Sequence, residues 1–143
     1  MITVIFSNKQ WVKAASFYLR TLVFVQEQNI SPKAEFDSLD TDHTNYVVIY
    51  YQQTPIATGR YQQDDATTVR PDRVCVRREW RKKGIGRRVI LELENIGRQN
   101  NCTLSRIHGE KQAITFYQKL GYSVVSDEFI EDGIICVKLE KNL

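Results

Sequence analysis

Residues 73–89 read RVCVRREWRKKGIGRRV, and this stretch decides the fold. It begins as a short β-prone run, passes through a basic turn with two glycines, and enters a helix with one apolar face. The first backbone N–H groups of a helix have no intrahelical partner, and the helix dipole adds partial positive charge there. Gly84 and Gly86 lack a Cβ atom, so an anion can approach these groups closely. The stretch therefore predicts a cradle for a phosphate or a diphosphate.

The glycine spacing matches neither of two common nucleotide-binding motifs. A P-loop needs Lys-Ser or Lys-Thr directly after its last glycine, but Gly86 is followed by two arginines. The dinucleotide fingerprint needs a third glycine at position 89, where this chain has valine. On the turn alone, a plain helix entry with a solvated basic face remains an alternative.

Length and composition bound the class of protein. The 143 residues predict one domain covering residues 1–143, and 42% hydrophobic and 26% charged residues are typical of a globular chain. No apolar stretch approaches the roughly 18 residues of a membrane span, and we expect no signal peptide at the N-terminus. Three cysteines without a Cys-x-x-Cys pair predict reduced thiols in a cytoplasmic protein. The two histidines are far apart, so no metal site is predicted.

Positive charge is concentrated in one segment. The chain carries a net charge of +3, whereas residues 77–88 contain seven basic residues and one acid. A focused patch favours a local anionic ligand over an extended nucleic-acid surface. A nucleic-acid-binding domain is the weaker alternative, because Trp80 is the one aromatic residue within the patch. We therefore expect neither a nucleic acid nor a membrane as partner.

The spacing of apolar residues predicts a mixed α/β domain with the element order β-α-β-β-β-α-β-α-β-β. The predicted strands are residues 2–6, 45–51, 56–61, 68–76, 103–108, 122–125 and 133–139. The first helix is predicted to have an apolar face of Trp11, Ala14, Ala15, Tyr18, Leu19 and Leu22. Residues 25–42 are predicted to form a polar connector, residues 62–66 a turn, and Pro71 a break in its strand. The crossover through the second helix requires at least one parallel strand pair.

Two motifs resemble those of the GNAT superfamily of N-acetyltransferases. The turn at residues 81–86 resembles its acetyl-CoA motif, Arg/Gln-x-x-Gly-x-Gly/Ala after a strand, and AITFYQKLGY at 113–122 resembles its later Ala-x-x-Phe-Tyr-x-x-x-Gly-Phe/Tyr motif. Residues 20–28 with 35–40, and EDGI at 131–134, are similar to the ElaA-like branch. The resemblance covers nearly the whole chain. It implies a mixed, mostly antiparallel twisted sheet with flanking helices, the GNAT fold of acyl-CoA N-acyltransferases.

The resemblance implies acetyl-CoA as co-substrate and no metal. It implies that the basic turn binds the diphosphate, and that the preceding strand binds the pantetheine arm where it diverges from the strand at 103–108. The backbone N–H of Val76 is expected to stabilise the negative charge that develops on the thioester oxygen. The cofactor-binding residues implied are Val74, Cys75, Val76, Arg81, Lys82, Lys83, Gly84, Ile85 and Gly86.

The resemblance also implies that Tyr117 is the catalytic acid. A phenol has a pKa near 10, so it stays protonated at neutral pH and can protonate a departing thiolate. The alternative is a core residue, because Tyr117 shares a predicted helix face with Ala113, Phe116 and Leu120. A positioned base or a water chain would take the proton from the acceptor amine.

Two residues depart from the family pattern. Glu110 stands where many relatives carry an amide, and a carboxylate can only accept hydrogen bonds. It is predicted to be either an acid/base group or a solvated helix-capping acid. Cys136 lies near the place where ElaA-like chains carry a histidine, and we predict a small buried residue there. His108 either lines the acceptor site or has a structural role.

The acceptor is not specified by either motif. Five acids in the connector suggest a cationic amine, namely Glu27, Glu35, Asp37, Asp40 and Asp42. The predicted reaction is direct transfer of an acetyl group from acetyl-CoA to that amine in a ternary complex. A non-catalytic module that binds or senses CoA is the main alternative. The C-terminal strands are expected to be exposed, so a homodimer through them is possible.

Overall fold

The computed structural model describes residues Met1 to Leu143. Its strands are β1 (Ile2–Ser7), β2 (Tyr46–Tyr51), β3 (Thr54–Arg60), β4 (Gln63–Asp65), β5 (Thr68–Val69), β6 (Asp72–Val76), β7 (Leu104–Glu110), β8 (Ser123–Val124), β9 (Phe129–Glu131) and β10 (Ile134–Asn142). Its α-helices are α1 (Gln10–Arg20), α2 (Pro32–Glu35), α3 (Ile85–Gln99) and α4 (Ile114–Lys119). Two compact units divide the chain, the first formed by Met1–Tyr61 with Arg73–Leu93 and the second by Gln62–Asp72 with Glu94–Leu143.

The first unit is built on a four-stranded sheet with the strand order β1-β2-β3-β6. β2 is the antiparallel neighbour of both β1 and β3, with Val48 opposite Ile5 on one side and Thr58 on the other. β-Branched and aromatic residues fit a pleated, buried surface, and residues 46–49 of β2 are fully buried. β6 ends the strand order, so one of its edges has no strand partner within this unit.

The buried face of α1 differs from the predicted one. Val12, Leu19 and Arg20 are buried, whereas Trp11 and Tyr18 are about half exposed, at 53% and 47%. Val12 and Leu19 join the core cluster that contains β2 residues. Arg20 thus forms part of the buried face of α1. A prediction from apolar spacing alone leaves Arg20 off this face and places Trp11 and Tyr18 on it.

The predicted polar connector is partly helical. α1 continues directly into a π-helical segment at Thr21–Glu27, and α2 follows after four residues. The hydroxyl of Ser31 caps α2 by accepting a hydrogen bond from the Ala34 N–H at 3.2 Å. Polar residues are usually exposed, but Glu35 of this connector is buried together with Arg20 of α1.

The second unit contains a sheet with the order β4-β5-β7-β10-β8, and β9 pairs with β10. β5 and β7 are parallel, with Thr68 opposite Leu104, and α3 lies between them in sequence, so the predicted parallel pair is confirmed. The other pairs of this sheet are antiparallel. β10 has β7 on one side and β8 and β9 on the other, so the long final strand is not an exposed edge.

Two strand predictions need correction. The break at Pro71 is confirmed, but it separates β5 from β6, and these two strands belong to different sheets. A proline cannot donate to a strand ladder, and Arg73 close to it has a positive φ of 49°. Residues 62–66 are not only a turn, because Gln63–Asp65 forms β4 and pairs with β5. β4 is short, polar and exposed, as edge strands commonly are.

All three cysteines are free, as predicted, and all three are buried. No helix has the length and apolar character needed to cross a membrane. No group of three or more His, Cys, Asp or Glu side chains is arranged to hold a metal ion.

Candidate active site

The strand, turn and helix start that the sequence predicts for residues 73–89 are present in the first unit. β6 ends at Val76, a 3₁₀ turn follows at Arg78–Trp80, and α3 begins at Ile85, as the sequence predicts. Gly84, directly before α3, has a φ of +78°, and a Cβ atom placed on it would have no neighbour within 4 Å. The start of α3 therefore faces open space. Its first turn contains no acid, and exposed cations surround it: Lys82, Lys83, Arg87 and Arg88.

The free edge of β6 offers backbone donors beside this turn. The Arg77 N–H donates to the Ile56 carbonyl of β3 at 2.9 Å. Successive N–H groups of an extended strand point to opposite edges, so the N–H groups of Val74 and Val76 point away from β3. The Cys75 side chain lies in the core cluster, and burial raises the pKa of its thiol. The Cys75 side chain is therefore not open to a ligand, and by the same alternation its backbone N–H points towards β3 and not to the free edge.

Arg81 is held by an acid that the sequence did not connect with it. Its NH1 and NH2 atoms donate to the two carboxylate oxygens of Glu27, each at 3.0 Å, and its Nε donates to the Val76 carbonyl at 3.0 Å. Glu27 lies at the end of the π-helical segment. The charge of Arg81 beside the turn is therefore balanced by Glu27, and its predicted role in binding the co-substrate stays a prediction. The only signal in the sequence was that Glu27 belongs to the ElaA-like stretch.

The ElaA-like residues of the connector form a buried ion-pair network. Arg20 donates to Glu35 Oε2 at 2.8 Å and to both oxygens of Asp40 at 2.8 and 2.9 Å. Its guanidinium contacts the rings of Phe17 and Phe36, which pack on each other, and lies 5.0 and 4.9 Å from their centroids. A buried charge is tolerated only where such partners surround it. This network fixes the connector to α1.

Two further arginines complete the network. Arg60 pairs with Asp37 at 2.8 Å and with Asp40 at 3.1 Å, and Arg73 pairs with Asp37 at 3.0 Å and with Glu35 at 3.3 Å. Burial acts to raise the pKa of Asp40, but the hydrogen bonds and charges of Arg20 and Arg60 outweigh it and lower that pKa to about 2. These carboxylates are neutralised within the protein, so they no longer argue for a cationic acceptor.

The low pKa of Asp40 predicts an acid-sensitive fold. Asp40 stabilises the folded state at pH values above its unfolded pKa, which is about 3.9, and the stabilisation is lost as the pH falls towards its folded pKa of about 2. Asp40→Asn should lower the free energy of unfolding at pH 7 by about 3–5 kcal/mol, because it leaves a buried arginine partly unpaired. Between pH 4 and pH 2 the variant should lose less stability than the wild type, by about 2 kcal/mol.

Urea unfolding at a series of pH values measures both effects of Asp40→Asn. Asp42→Asn is the matched control, since the Asp42 side chain is fully exposed and lies 3.9 Å from its partner Lys13. Equal pH dependence in the wild type and Asp40→Asn would contradict the low pKa of Asp40.

Tyr117 of α4 packs closely on β7 in the second unit. A Cβ atom at Gly109 would lie 3.0 Å from Tyr117 Cε2 and 2.7 Å from Leu139 Cδ1, so only glycine leaves room for the ring. The tyrosine is half-buried, and its hydroxyl makes no hydrogen bond with the protein but remains accessible to solvent. Burial raises its pKa, and the negative charge of Glu110 adds to this shift. Tyr117 is thus a protonated phenol with an unused donor.

The structure narrows the role of Glu110. Glu110 occupies the N-cap position before the 3₁₀ turn Lys111–Ala113, but its side chain makes no capping hydrogen bond. It instead accepts a hydrogen bond from Gln112 Nε2 at 2.8 Å. Glu110 thus occupies the predicted capping position but provides no capping hydrogen bond. The acid/base alternative stays a prediction.

The other two residues considered for the acceptor side lie on the same ladder. Cys136 of β10 is opposite Glu110 and is buried, as predicted, and burial together with nearby acids raises its pKa to about 11. Its thiol is therefore neutral at pH 7 and is not a base. His108 Nδ1 lies 3.2 Å from Glu131 Oε1, and its ring contacts Phe129 edge to face.

Comparison with known proteins identifies the family. Residues 42–124, more than half of the chain, match the model of the GNAT acetyltransferase domain. Bacillus subtilis YyaT is 37% identical over 127 residues, which cover 87% of this chain and 85% of YyaT. The chain belongs to the GNAT acetyltransferase family. Of the two motifs that resemble this family, the one at residues 81–86 lies in the first unit and the one at 113–122 lies in the second.

Two solved structures of GNAT proteins agree with the fold. A Lactobacillus plantarum protein described as an N-acetyltransferase is 38% identical, superposes with a TM-score of 0.95, and is matched over 99% of this chain and 98% of its own. Escherichia coli ElaA is 22% identical with a TM-score of 0.85, and 99% of each chain is covered. The fold class and the likeness to ElaA are both confirmed.

Proposed function

We propose that this GNAT protein transfers the acetyl group of acetyl-CoA directly to a primary amine of a small molecule or a protein. One observation carries the proposal, namely the open start of α3 at Gly84 beside the free edge of β6. A diphosphate needs unpaired N–H groups and compensating positive charge, and an extended arm needs unpaired strand groups. The first unit offers both within a single stretch of chain.

The residues present fit acetyl-CoA as follows. Gly84, Ile85 and Gly86 present backbone N–H groups to the diphosphate, and Lys82 and Lys83 add charge. The edge of β6 binds the pantetheine arm through Val74 and Val76. When bound, acetyl-CoA supplies an activated acetyl thioester.

One backbone N–H of β6 is proposed to stabilise the negative charge that develops on the thioester oxygen. The sequence assigned this role to Val76, but Val74 faces the same edge. The pantetheine arm separates the thioester from the diphosphate, and Val76 directly precedes the segment that leads to the turn. Val74, which lies one ladder step farther from the turn, therefore suits the thioester better, and Val76 suits the arm.

Two side chains are proposed to move protons in the reaction, Tyr117 and Glu110. Tyr117 has a free hydroxyl that stays protonated at neutral pH, so it is the proposed donor of a proton to the departing thiolate. The acceptor amine must first lose a proton, because an ammonium group has no lone pair. Glu110 is the proposed base for that proton, since it is an acceptor-only group.

Thiol release with a panel of amines tests this function. Purified protein with acetyl-CoA should release CoA thiol much faster when polyamines, lysine or peptides with a free N-terminus are added. Binding of CoA without turnover by any amine would favour the sensor alternative. Binding of DNA or RNA with a steep salt dependence, in the absence of CoA binding, would favour a nucleic-acid function.

Glu110→Gln tests the proposed base. Turnover at pH 7 should fall by roughly 10²-fold, and the acidic limb of the pH–rate profile should flatten, because the amide cannot take a proton. CoA affinity measured by calorimetry should stay within about twofold. Gln112→Ala is the matched control, because it removes the hydrogen bond to Glu110 but keeps the carboxylate. Unchanged turnover in Glu110→Gln would remove Glu110 from the mechanism, and tighter CoA binding would place it on the arm instead.

A further inference from the structure

One ion pair, between Glu27 and Arg81, connects three segments next to the basic turn at residues 81–86. Both oxygens of Glu27 accept hydrogen bonds from Arg81 at 3.0 Å, and Arg81 Nε also donates to the carbonyl of Val76 at 3.0 Å. The π-helical segment, the turn and the end of β6 thus meet on a single guanidinium. A bidentate arginine–carboxylate pair fixes geometry better than a single charged contact does.

The direction of the Val76 carbonyl shows which edge of β6 is contacted by Arg81. The N–H and C=O groups of one strand residue point to the same edge. The Arg77 N–H points towards β3, so both groups of Val76 point to the free edge of β6. Arg81 therefore occupies the last acceptor on that edge and leaves the Val76 N–H as the last donor there.

The same contacts count against Arg81 as a phosphate ligand. The guanidinium of Arg81 faces Glu27, and the negative charge of Glu27 balances its positive charge. Arg78 lies 3.7 Å from the same carboxylate. Lys82, in contrast, is exposed and makes no ion pair. The charge available to a diphosphate comes from the exposed lysines and from Arg87 and Arg88, whereas Arg81 has a different role.

We propose that Glu27 is a positioning residue that holds Arg81 as a cap on the Val76 carbonyl. The cap fixes the positions of the last residue of β6 and of the turn that follows it before the co-substrate binds. The inference rests on the proposed function, because it concerns how the same site is shaped. A site that is ordered in advance loses less conformational freedom on binding. Exposed ion pairs add little to stability, so the effect belongs to binding and not to folding.

Calorimetric titration with CoA tests the cap in four variants: Glu27→Gln, Arg81→Gln, Arg81→Lys and the double variant Glu27→Gln/Arg81→Gln. Each single change should weaken CoA binding by about tenfold, since it removes charge-assisted hydrogen bonds. Arg81→Lys should lose as much as Arg81→Gln, because an ammonium group cannot bridge Glu27 and the Val76 carbonyl. The double variant should bind no more weakly than either single variant. The KM for acetyl-CoA should rise with the Kd, while Tm moves by less than about 2 °C.

Arg78→Gln is the matched control, because it removes a neighbouring positive charge that does not contact Val76; its CoA affinity should stay within about twofold. Retained affinity in Arg81→Lys, or tighter binding in Glu27→Gln, would overturn the proposal and make Arg81 a phosphate ligand. Wild-type affinity in all four variants would also overturn it. A wild-type protein that does not bind CoA would instead refute the proposed function itself.

Discussion

Tyr117→Phe should lower kcat by roughly 10²- to 10⁴-fold, the usual contribution of a positioned acid. The hydroxyl makes no hydrogen bond with the protein, and the ring fills the space above Gly109, so the variant keeps the packing and loses only the proton donor. The KM for acetyl-CoA should change little, because the proton is needed only as the thiolate leaves. Steady-state kinetics with a verified acceptor measures the effect.

Tyr122→Phe provides a matched control, for which we expect a loss of stability and an unchanged kcat. The Tyr122 hydroxyl is buried, donates to Glu94 at 2.8 Å and lies 2.7 Å from the Ser105 hydroxyl. Its removal should destabilise the fold by about 1–3 kcal/mol, because a buried carboxylate loses a partner, and kcat should be kept. Acyl donors with more acidic thiols should also reduce the effect of Tyr117→Phe. Equal rates for wild type and Tyr117→Phe would mean that Tyr117 is not the catalytic acid and serves only as a core residue.

Local sequence patterns predicted the geometry of the turn at residues 81–86 correctly because this geometry is local. A strand, a turn with Gly84, and a helix start lie within one short stretch, and each follows from the residues in it. The parallel pair of β5 and β7 was predictable for a similar reason, since a strand-helix-strand crossover restricts the topology. Their order within the sheet could not be obtained in this way.

Long-range ion pairs could not be predicted from the sequence. Arg20 and Glu35 are 15 residues apart, and Glu27 and Arg81 are 54 residues apart, so no periodic pattern connects them. Apolar periodicity treats an arginine as exposed, and this rule turned the predicted face of α1 away from Arg20. The connector acids were accordingly interpreted as evidence for a cationic acceptor. Four of them, Glu27, Glu35, Asp37 and Asp40, instead pair with arginines, whereas Asp42 is exposed and lies near Lys13.

Gly86→Glu should abolish the rise in melting temperature that acetyl-CoA gives the wild type. A ligand at 100 times its Kd stabilises the folded state by about 2.7 kcal/mol, which shifts Tm by several degrees in a domain of this size. Gly86 is the second residue of α3, so the new carboxylate would lie at the helix start where the diphosphate is proposed to bind. It should repel that ligand directly.

The fold of Gly86→Glu should survive, since an acid near a helix N-terminus is favourable and position 86 is partly exposed. Asn95→Glu is the matched control. It changes the net charge equally on the same helix, but about 13 Å farther along its axis, and its oxygen can still accept from Arg98. This control should keep the full ligand-induced shift, which separates a local effect on the cradle from a general effect of charge. An equal shift in Gly86→Glu would mean that acetyl-CoA does not bind at the start of α3, and the basic turn would then be only a solvated helix entry.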